Sequence, residues 1–416
     1  MIPGVARVLL LLPSGTYKAP DFLSAARRLD VDVVVASDTE QTLAEAMGDR
    51  ALVVDLADPS GAAAAISALA ARRPLDAVVA VDDQGVVIAA LAAKELGLPA
   101  NDPNAVARTR NKAAMRSALA SAADISPHLR QPRFRVVSGE DDVVAAAEDV
   151  GWPVVVKPVS LSASRGVIRA DDPADAEAAA ARVRAILDED GHPADEPLLI
   201  EQYVPGEEVA VEALLRAGRL EVLAIFDKPD PLTGPYFEET LYVTPSRLPA
   251  AVQDGIAATV TGAAAAIGLT EGPVHAELRV DRDGRPWVLE LAARTIGGLC
   301  ARTLRFAAGV TLEELVLRHA LGLPVDPRRE TVAAGVMMLP IPRAGRLMAV
   351  QGQDEARAVP GVTALEISIL PGRPVLPLPE GDRYLGFLFA RASSPAEVEE
   401  ALRTAHARLE ILIDDL

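Results

Sequence analysis

From the first apolar run onward, the chain alternates two periods. Val8–Leu12 is a continuous apolar stretch and predicts a buried strand; Val31–Ala36, Ala51–Leu56 and Ala77–Val81 predict strands as well. Between them Asp21–Leu29, Pro59–Arg72 and Val86–Leu96 predict helices, the last closed by Gly97. Strand and helix in turn over residues 1–101 predict a doubly wound α/β unit with a parallel sheet, Rossmann-like in its layers. Asp102–Ala123 reads as one helix with Pro103 in its first turn. A strand at Arg133–Val137, a helix at Asp141–Val150 and a strand at Val154–Val156 follow. Leu198–Val204 is a strand, and Ala217-Gly218 turns a hairpin. Residues 229–249 read as an irregular crossing loop, Ala250–Ile267 as a helix ended by Gly268, and Gly309–Gly322 as carrying a helix that Thr311 caps. Beyond Pro324 the chain is strand-rich and dense in Gly and Pro, with a last helix at Ala396–Leu409. The predicted units are therefore 1–101, 102–325 with a lid lobe over about 130–200, and a small α+β unit at 326–416.

The stretch Gly272–Arg294 predicts a hairpin with Asp283-Gly284 at its tip. With that turn, Arg282 faces Arg285 and Glu277 falls opposite Glu290. Alternation puts His275, Glu277, Arg279, Val288, Glu290, Ala292 and Arg294 on one face. Val274, Ala276, Leu278, Val280, Trp287, Leu289, Leu291 and Ala293 take the core face. A three-residue turn with a bulge would shift the pairing by one. Two facing carboxylates repel, so a cation is expected between them. Hard oxygen ligands with no nearby cysteine point to Mg²⁺ or Mn²⁺ and, through the open positions of Mg²⁺, to a nucleotide. The plain alternative is a solvated face with two unrelated glutamates.

Composition narrows the classes. The chain has 416 residues, half of them apolar and only 3% aromatic, so its cores are built from Ala, Val and Leu. A net charge of −18 argues against nucleic acid and anionic membrane partners. The single cysteine, Cys300, excludes an intramolecular disulfide, fits a cytoplasmic location and reads as a small core residue. The first residues carry too short an apolar core for a signal peptide, and no run of 18 apolar residues predicts a membrane span.

Candidate chemistry is dispersed. No GxGxxG follows the first strand, so a dinucleotide site is not supported. Ser14, Gly15 and Thr16, and Asp82 and Asp83, sit at carboxyl ends of strands, where a ligand crevice or a plain turn would lie. Lys157 ends a buried strand, where it must snorkel or meet an anion. The loop 160–167, SLSASRGV, can offer N–H and hydroxyl groups to phosphate, but it lacks Walker A spacing.

In order, Asn111-Lys112, VVVKP at 154–158, the small-residue loop ending at Gly166, IEQYVPGEEVAVEAL at 200–214, HAELRV and VLELAAR resemble the ATP-grasp superfamily over roughly residues 102–325. FDKP, PYFEE and the carboxy-terminal segment are most similar to its L-amino acid ligase (dipeptide synthetase) branch. The resemblance implies an ATP-grasp fold and an ATP- and Mg²⁺-dependent (or Mn²⁺-dependent) ligase. That enzyme would join a small-molecule carboxylate and an amine through an acyl phosphate. It implies that Lys112 and Lys157 bind phosphates, that Ser162, Ser164 and Gly166 cover them, and that Glu201, Gln202 and Val204 meet adenine. The same resemblance gives Glu208 the ribose, Glu277 and Glu290 the metal, and Arg294 the acyl phosphate and oxyanion. Lys228 would reach the γ-phosphate or pair with a carboxylate. His275 is either structural or touches substrate. The loop departs from the family in having serines and Arg165 where glycines are usual. Gly297-Gly298 after Arg294 leaves the acceptor pocket open. The general base stays open between Glu238, Glu239 and none, as do the substrates and a homodimeric state. Alternatives are a biotin-carboxylase-like or nucleotide-biosynthesis ATP-grasp enzyme, or a non-catalytic nucleotide-binding protein.

Overall fold

The computed structural model describes residues 5–41, 47–122, 128–139 and 142–415. The predicted helix boundaries at Ala123 and Asp141 lie outside the described residues.

The first four strands, β1 (Arg7–Leu11), β2 (Asp32–Ser37), β3 (Ala51–Val53) and β4 (Ala77–Ala80), form a parallel sheet in the order β3-β2-β1-β4. The continuous apolar runs have the predicted cause: helices cover both faces. Leu9, Leu11 and Val34 meet Ile66 and Ile88 on one side, while Val8 and Leu10 meet Phe22 and Ala25 on the other. Strand order reverses between β1 and β4, so a crevice opens at their carboxyl ends, where Ser14–Thr16 and Asp82–Asp83 lie.

A second, antiparallel sheet falls within the stretch expected to form the lid lobe. It contains β5 (Phe134–Val137), β6 (Val154–Pro158), β7 (Ile168–Ala170) and β8 (Leu198–Gln202), ordered β5-β8-β6-β7. Helices 143–150 and 173–189 back it through Ala147, Ala176, Ala180 and Val183.

The centre is an eight-stranded antiparallel sheet. Its members are β9 (Glu207–Arg216), β10 (Arg219–Lys228), β11 (Leu241–Thr244), β12 (Gly272–Val280), β13 (Pro286–Ala292), β14 (Ala333–Leu339), β16 (Val362–Ile367) and β18 (Gly386–Ala392). They run β13-β12-β9-β10-β11-β14-β18-β16. Three of these strands come from the carboxy-terminal segment, whose β15 (Gly345–Gln351), β17 (Pro374–Val375) and β19 (Glu410–Asp414) pair separately. The helix Ala250–Ile267 is long and apolar enough by composition to cross a membrane. Here it lays Ile256, Val260, Ala263 and Ile267 on the sheet core and ends on Gly268 at φ 94°.

The structure corrects three readings of the chain. The 229–249 stretch is not wholly irregular, because β11 bridges β10 to β14 in mid-sheet. The 102–123 helix is two helices, Pro103–Thr109 and Lys112–Ala122, broken at Arg110-Asn111. Third, the hairpin turn is Arg282-Asp283-Gly284. Asp281, not Arg282, pairs with Arg285, the Gly284 amide donates to the Asp281 carbonyl (2.9 Å), and only Gly284 has positive φ, 74°. Val280 thus pairs with Pro286 and Leu278 with Val288. Leu289 is then bulged out, and Glu277 meets Glu290. Two one-residue shifts cancel, so the facing of the glutamates is present by a different route. The altered pairing also reverses three predicted faces: Val288 is in the core beside Leu278, Leu289 lines the cleft, and Trp287 pairs with Arg279 outside the core.

Candidate active site

A cleft of about 500 Å³ opens where the N-terminal crevice, the lid sheet and the face of β9, β12 and β13 meet. The sequence places its wall there for a local reason. On β12, Glu277 and Arg279 point away from the apolar face made by Ala276, Leu278 and Val280, and β13 sets Glu290 beside Glu277.

Lys112 starts its helix with its amide bound to the Val159 carbonyl (3.0 Å). Its ammonium donates to the Leu161 carbonyl and stands 3.7 Å from Glu290 Oε2. Lys157, from β6, sits 2.6 Å from Glu201 Oε2. Burial pushes the Lys157 pKa down; Glu201 opposes this, while Arg116 and Lys112 add to it. Glu201 is held between Lys157 and Arg116, whose Nε lies 2.5 Å away. Burial alone would raise the Glu201 pKa, but Arg116 and Lys157 outweigh it and bring it to about 2. These two lysines and Glu290 therefore share one end of the cleft, beneath Ser162, Ala163 and Ser164.

Gln202 and Val204 also line the cleft, with Val155, Phe237 and Leu289. The Gln202 amide already donates to the Arg133 carbonyl (2.9 Å), and the Val204 carbonyl accepts from Arg279 (2.9 Å), so those two backbone groups are engaged. Gly166 is not on the wall. It lies behind the loop, at φ 68°, with its amide on the Pro379 carbonyl (3.0 Å).

Glu208 is buried, and its oxygens accept from Lys228 (2.8 Å) and Arg279 (2.9 Å). Carboxylate oxygens of Glu208, Glu239 and Glu277 come within 4.8 Å of one another. Lys228 stands among them, bonded to Glu208 and Glu239 and 3.6 Å from Glu277. That trio therefore already has a cation, and the three carboxylates keep Lys228 charged despite burial. Of the two candidate bases, Glu239 is bonded to Lys228, with burial and Glu277 raising its pKa. Glu238 is not on the cleft wall.

Glu277 faces His275 Nε2 at 3.4 Å, and His275 Nδ1 is 2.5 Å from Glu212 Oε1. Against its own burial, Glu212 and Glu277 raise the imidazole to about 9. Lys228 and His275 hold Glu277 well below the carboxylate range despite its burial. Arg294 donates to Asp83 Oδ2 and to the Thr295 carbonyl, both at 3.0 Å. Asp83 also meets Arg110 at 3.2 Å. Arg294 stays firmly charged through Asp83 and Glu290. Cys300 is buried against Met338 at the cleft floor, and burial pushes its thiol up.

Glu277 and Glu290 suit a hard divalent cation. Both are on the wall, face each other, and have their nearest cationic nitrogens at 3.4 and 3.7 Å rather than in tight pairs.

Sequence reasoning missed several residues. Arg116 is fully buried and donates to Glu201, to the Val288 carbonyl (3.1 Å) and to the Leu289 carbonyl (2.7 Å). A helical arginine gives no local sign of that. Arg110, Glu212, Tyr17 and the Asp382–Tyr384 segment are equally silent in sequence, since each acts only across elements.

Three family models match: the ATP-grasp N-terminal domain over residues 23–100, the ATP-grasp domain over 150–303 and L-amino acid ligase C-terminal domain 2 over 337–414. A D-alanine–D-alanine ligase of Gloeobacter violaceus is 32% identical over 225 residues, 50% of this chain and 69% of that protein. The chain belongs to the ATP-grasp family. This ATP-grasp protein is also 27% identical, over 51% of its length, to 46% of an alanine–anticapsin ligase of Bacillus subtilis. It spans about half the length of several curated relatives that it matches. Among solved structures, L-amino acid ligase from Bacillus licheniformis superposes with a TM-score of 0.80 at 27% identity, covering 99% of both chains. Other solved chains, at 14–17% identity and TM-scores of 0.65–0.74, share the fold.

Proposed function

We propose that this ATP-grasp protein is a cytoplasmic carboxylate–amine ligase that makes an amide bond between two amino acids, or an amino acid and a small carboxylic acid. Residues 1–101, 102–325 and 326–416 would be its three units. One observation carries the reading: Lys112, Lys157, Glu277, Glu290 and Arg294 converge on a single cleft roofed by the 162–164 loop. A nucleotide-binding module alone has no need of Arg294 beside that carboxylate pair. The names of the relatives, an alanine–anticapsin ligase, D-alanine–D-alanine ligases and an L-amino acid ligase, support the same chemistry.

In this reading Lys112 and Lys157 hold phosphate oxygens of ATP, whose charge offsets the desolvation of Lys157. Val155, Val204, Phe237 and Leu289 give the base an apolar slot, and Glu201 fixes Lys157. Glu277 and Glu290 would hold Mg²⁺, which supplies charge neutralisation at the phosphates when bound. A substrate carboxylate oxygen attacks the γ-phosphorus, the bond to ADP breaks, and an acyl phosphate forms. The amine then attacks the acyl carbon, phosphate leaves, and the amine proton goes to solvent or phosphate. Arg294, oriented by Asp83, faces the oxyanion of that second step. Lys228 acts behind the wall, holding Glu208, Glu239 and Glu277 in place, while His275 stands on the wall beside Glu277. Serine-lined closure over the phosphates excludes water from the acyl phosphate.

The test is phosphate release from Mg·ATP across a matrix of amino-acid pairs, with mass spectrometry of each positive well. Release that needs both partners, with a product at minus-water mass, supports the reading. ATP binding with no release in any well refutes it.

A further inference from the structure

A strap runs along the far side of the cleft. Residues 376–385 join β17 to β18 and are rooted at the sheet end, where the Leu385 amide donates to the Leu339 carbonyl (3.0 Å) and the Leu385 carbonyl accepts from Ser368 (2.9 Å). The strap turns tightly: the Gly381 amide donates to the Pro377 carbonyl (2.9 Å), and a Cβ at Gly381 would collide with the Leu376 carbonyl. Its other attachment is to the lid. The Pro379 carbonyl takes the Gly166 amide (3.0 Å), and the Glu380 carbonyl takes Arg165 Nε (2.7 Å). The Glu380 carboxylate receives both arms of Arg182, at 2.5 and 2.9 Å. Arg165 and Gly166 close the phosphate-covering loop, so one short segment grips both that loop and the helix behind it.

The same segment presents Asp382, Arg383 and Tyr384 to the cleft, with the Tyr384 hydroxyl 3.5 Å from Glu239 and its ring 5.9 Å from Phe387. Every other cation on the cleft wall is committed. Lys112 lies beside Glu290, Lys157 beside Glu201, Arg279 beside Glu208 and Arg294 beside Asp83. Arg383 differs in exposure and bonding rather than in distance: its side chain is 67% exposed, its one ion pair among the described residues is with its similarly exposed neighbour Asp382 at 3.7 Å, and it lacks the carbonyl bond that anchors Lys112.

We propose that Arg383 holds the carboxylate of the incoming amine substrate, and that the Glu380–Arg182 clasp ties this contact to closure of the lid. The inference rests on the ligase reading and supplies what it leaves open, the residue that holds the carboxylate of the amine partner. A bidentate guanidinium–carboxylate pair selects the free acid over its amide. Because the clasp sits three residues away on a tight turn, an acid held by Arg383 also holds the strap against the lid.

The experiment compares a panel of amino acids with their carboxamides as amine substrates, at saturating carboxylate partner and Mg·ATP. Wild type should prefer the free acids. R383Q should lower kcat/KM for acids by about 10- to 100-fold and leave amides nearly unaffected, so that the preference collapses. R383K should restore part of it. E380Q should keep the preference but raise the ratio of phosphate released to amide formed, because the lid no longer stays shut over the acyl phosphate. An undiminished acid preference in R383Q overturns the proposal, and so does unchanged coupling in E380Q. If wild type ligates nothing, the ligase reading itself has failed, and this proposal falls with it.

Discussion

Replacing Arg116 by methionine tests how the interior of the cleft is held. Arg116 is fully buried and touches three groups, the Glu201 carboxylate and the carbonyls of Val288 and Leu289. Methionine fills most of the volume but leaves Glu201 with Lys157 alone and two bulge carbonyls unbonded. Breaking a buried ion pair by removing one partner costs roughly 3–5 kcal/mol, a large share of the 5–15 kcal/mol typical of a domain. The Glu201 shift gives a second route to the size. Arg116 and Lys157 together bring Glu201 from 4.5 to about 2, which at about 1.36 kcal/mol per pH unit is roughly 3 kcal/mol at pH 7, an upper bound for the share owed to Arg116. The sign follows from the direction. A depressed folded pKa stabilises above the unfolded value, and that stability drains away as pH falls from 4.5 towards 2. By linkage roughly 1 kcal/mol of it remains at pH 3. The assay is urea unfolding of the W152F protein and its R116M derivative, followed by Trp287, which lies on β13 next to the bulge. The R116M penalty should be several kcal/mol at pH 7 and smaller by about 1–2 kcal/mol at pH 3. A penalty below about 1 kcal/mol at pH 7, or one that does not change with pH, refutes the reasoning.

E290Q should cut amide formation at least about 100-fold and shift the Mg²⁺ concentration for half-activity upward, read by phosphate release in a Mg²⁺ titration. G298A should destabilise by roughly 1–3 kcal/mol in urea, because Gly298 has φ 56° and a Cβ there would lie 2.7 Å from the Phe387 ring. Cys300, buried at the cleft floor, should resist iodoacetamide in the native protein and react on unfolding; mass spectrometry of the native sample showing rapid alkylation would contradict its placement.

Much of this architecture is legible because local rules govern it. The apolar run without alternation at Val8–Leu12 reads as a strand covered on both sides, and β1 is buried along its whole length. Alternation around Glu277 and Glu290 predicts a cleft-facing pair, yet the turn chemistry misleads: Asp283-Gly284 suits a two-residue loop, while Asp281 accepts the Asp283 and Arg285 amides and fixes a three-residue one. The bulge at Leu289 that restores register is held by Arg116 from a distant helix, which no window of sequence contains. β11 escapes notice for a related reason. It has four residues between prolines, and its strand character comes from Val243 and Tyr242 pairing with β10 and β14. Likewise Arg383 is one arginine in a polar loop until the strap's bonds to Arg165, Gly166 and Arg182 place it at the cleft.

The most direct test of the central claim uses a carboxylate substrate labelled with ¹⁸O at its carboxyl oxygens. If the carboxylate attacks the γ-phosphorus and the amine then displaces phosphate, each amide formed should release one phosphate carrying one ¹⁸O, with ADP as the other product. Amide formed with unlabelled phosphate, or with AMP and pyrophosphate, would contradict the account.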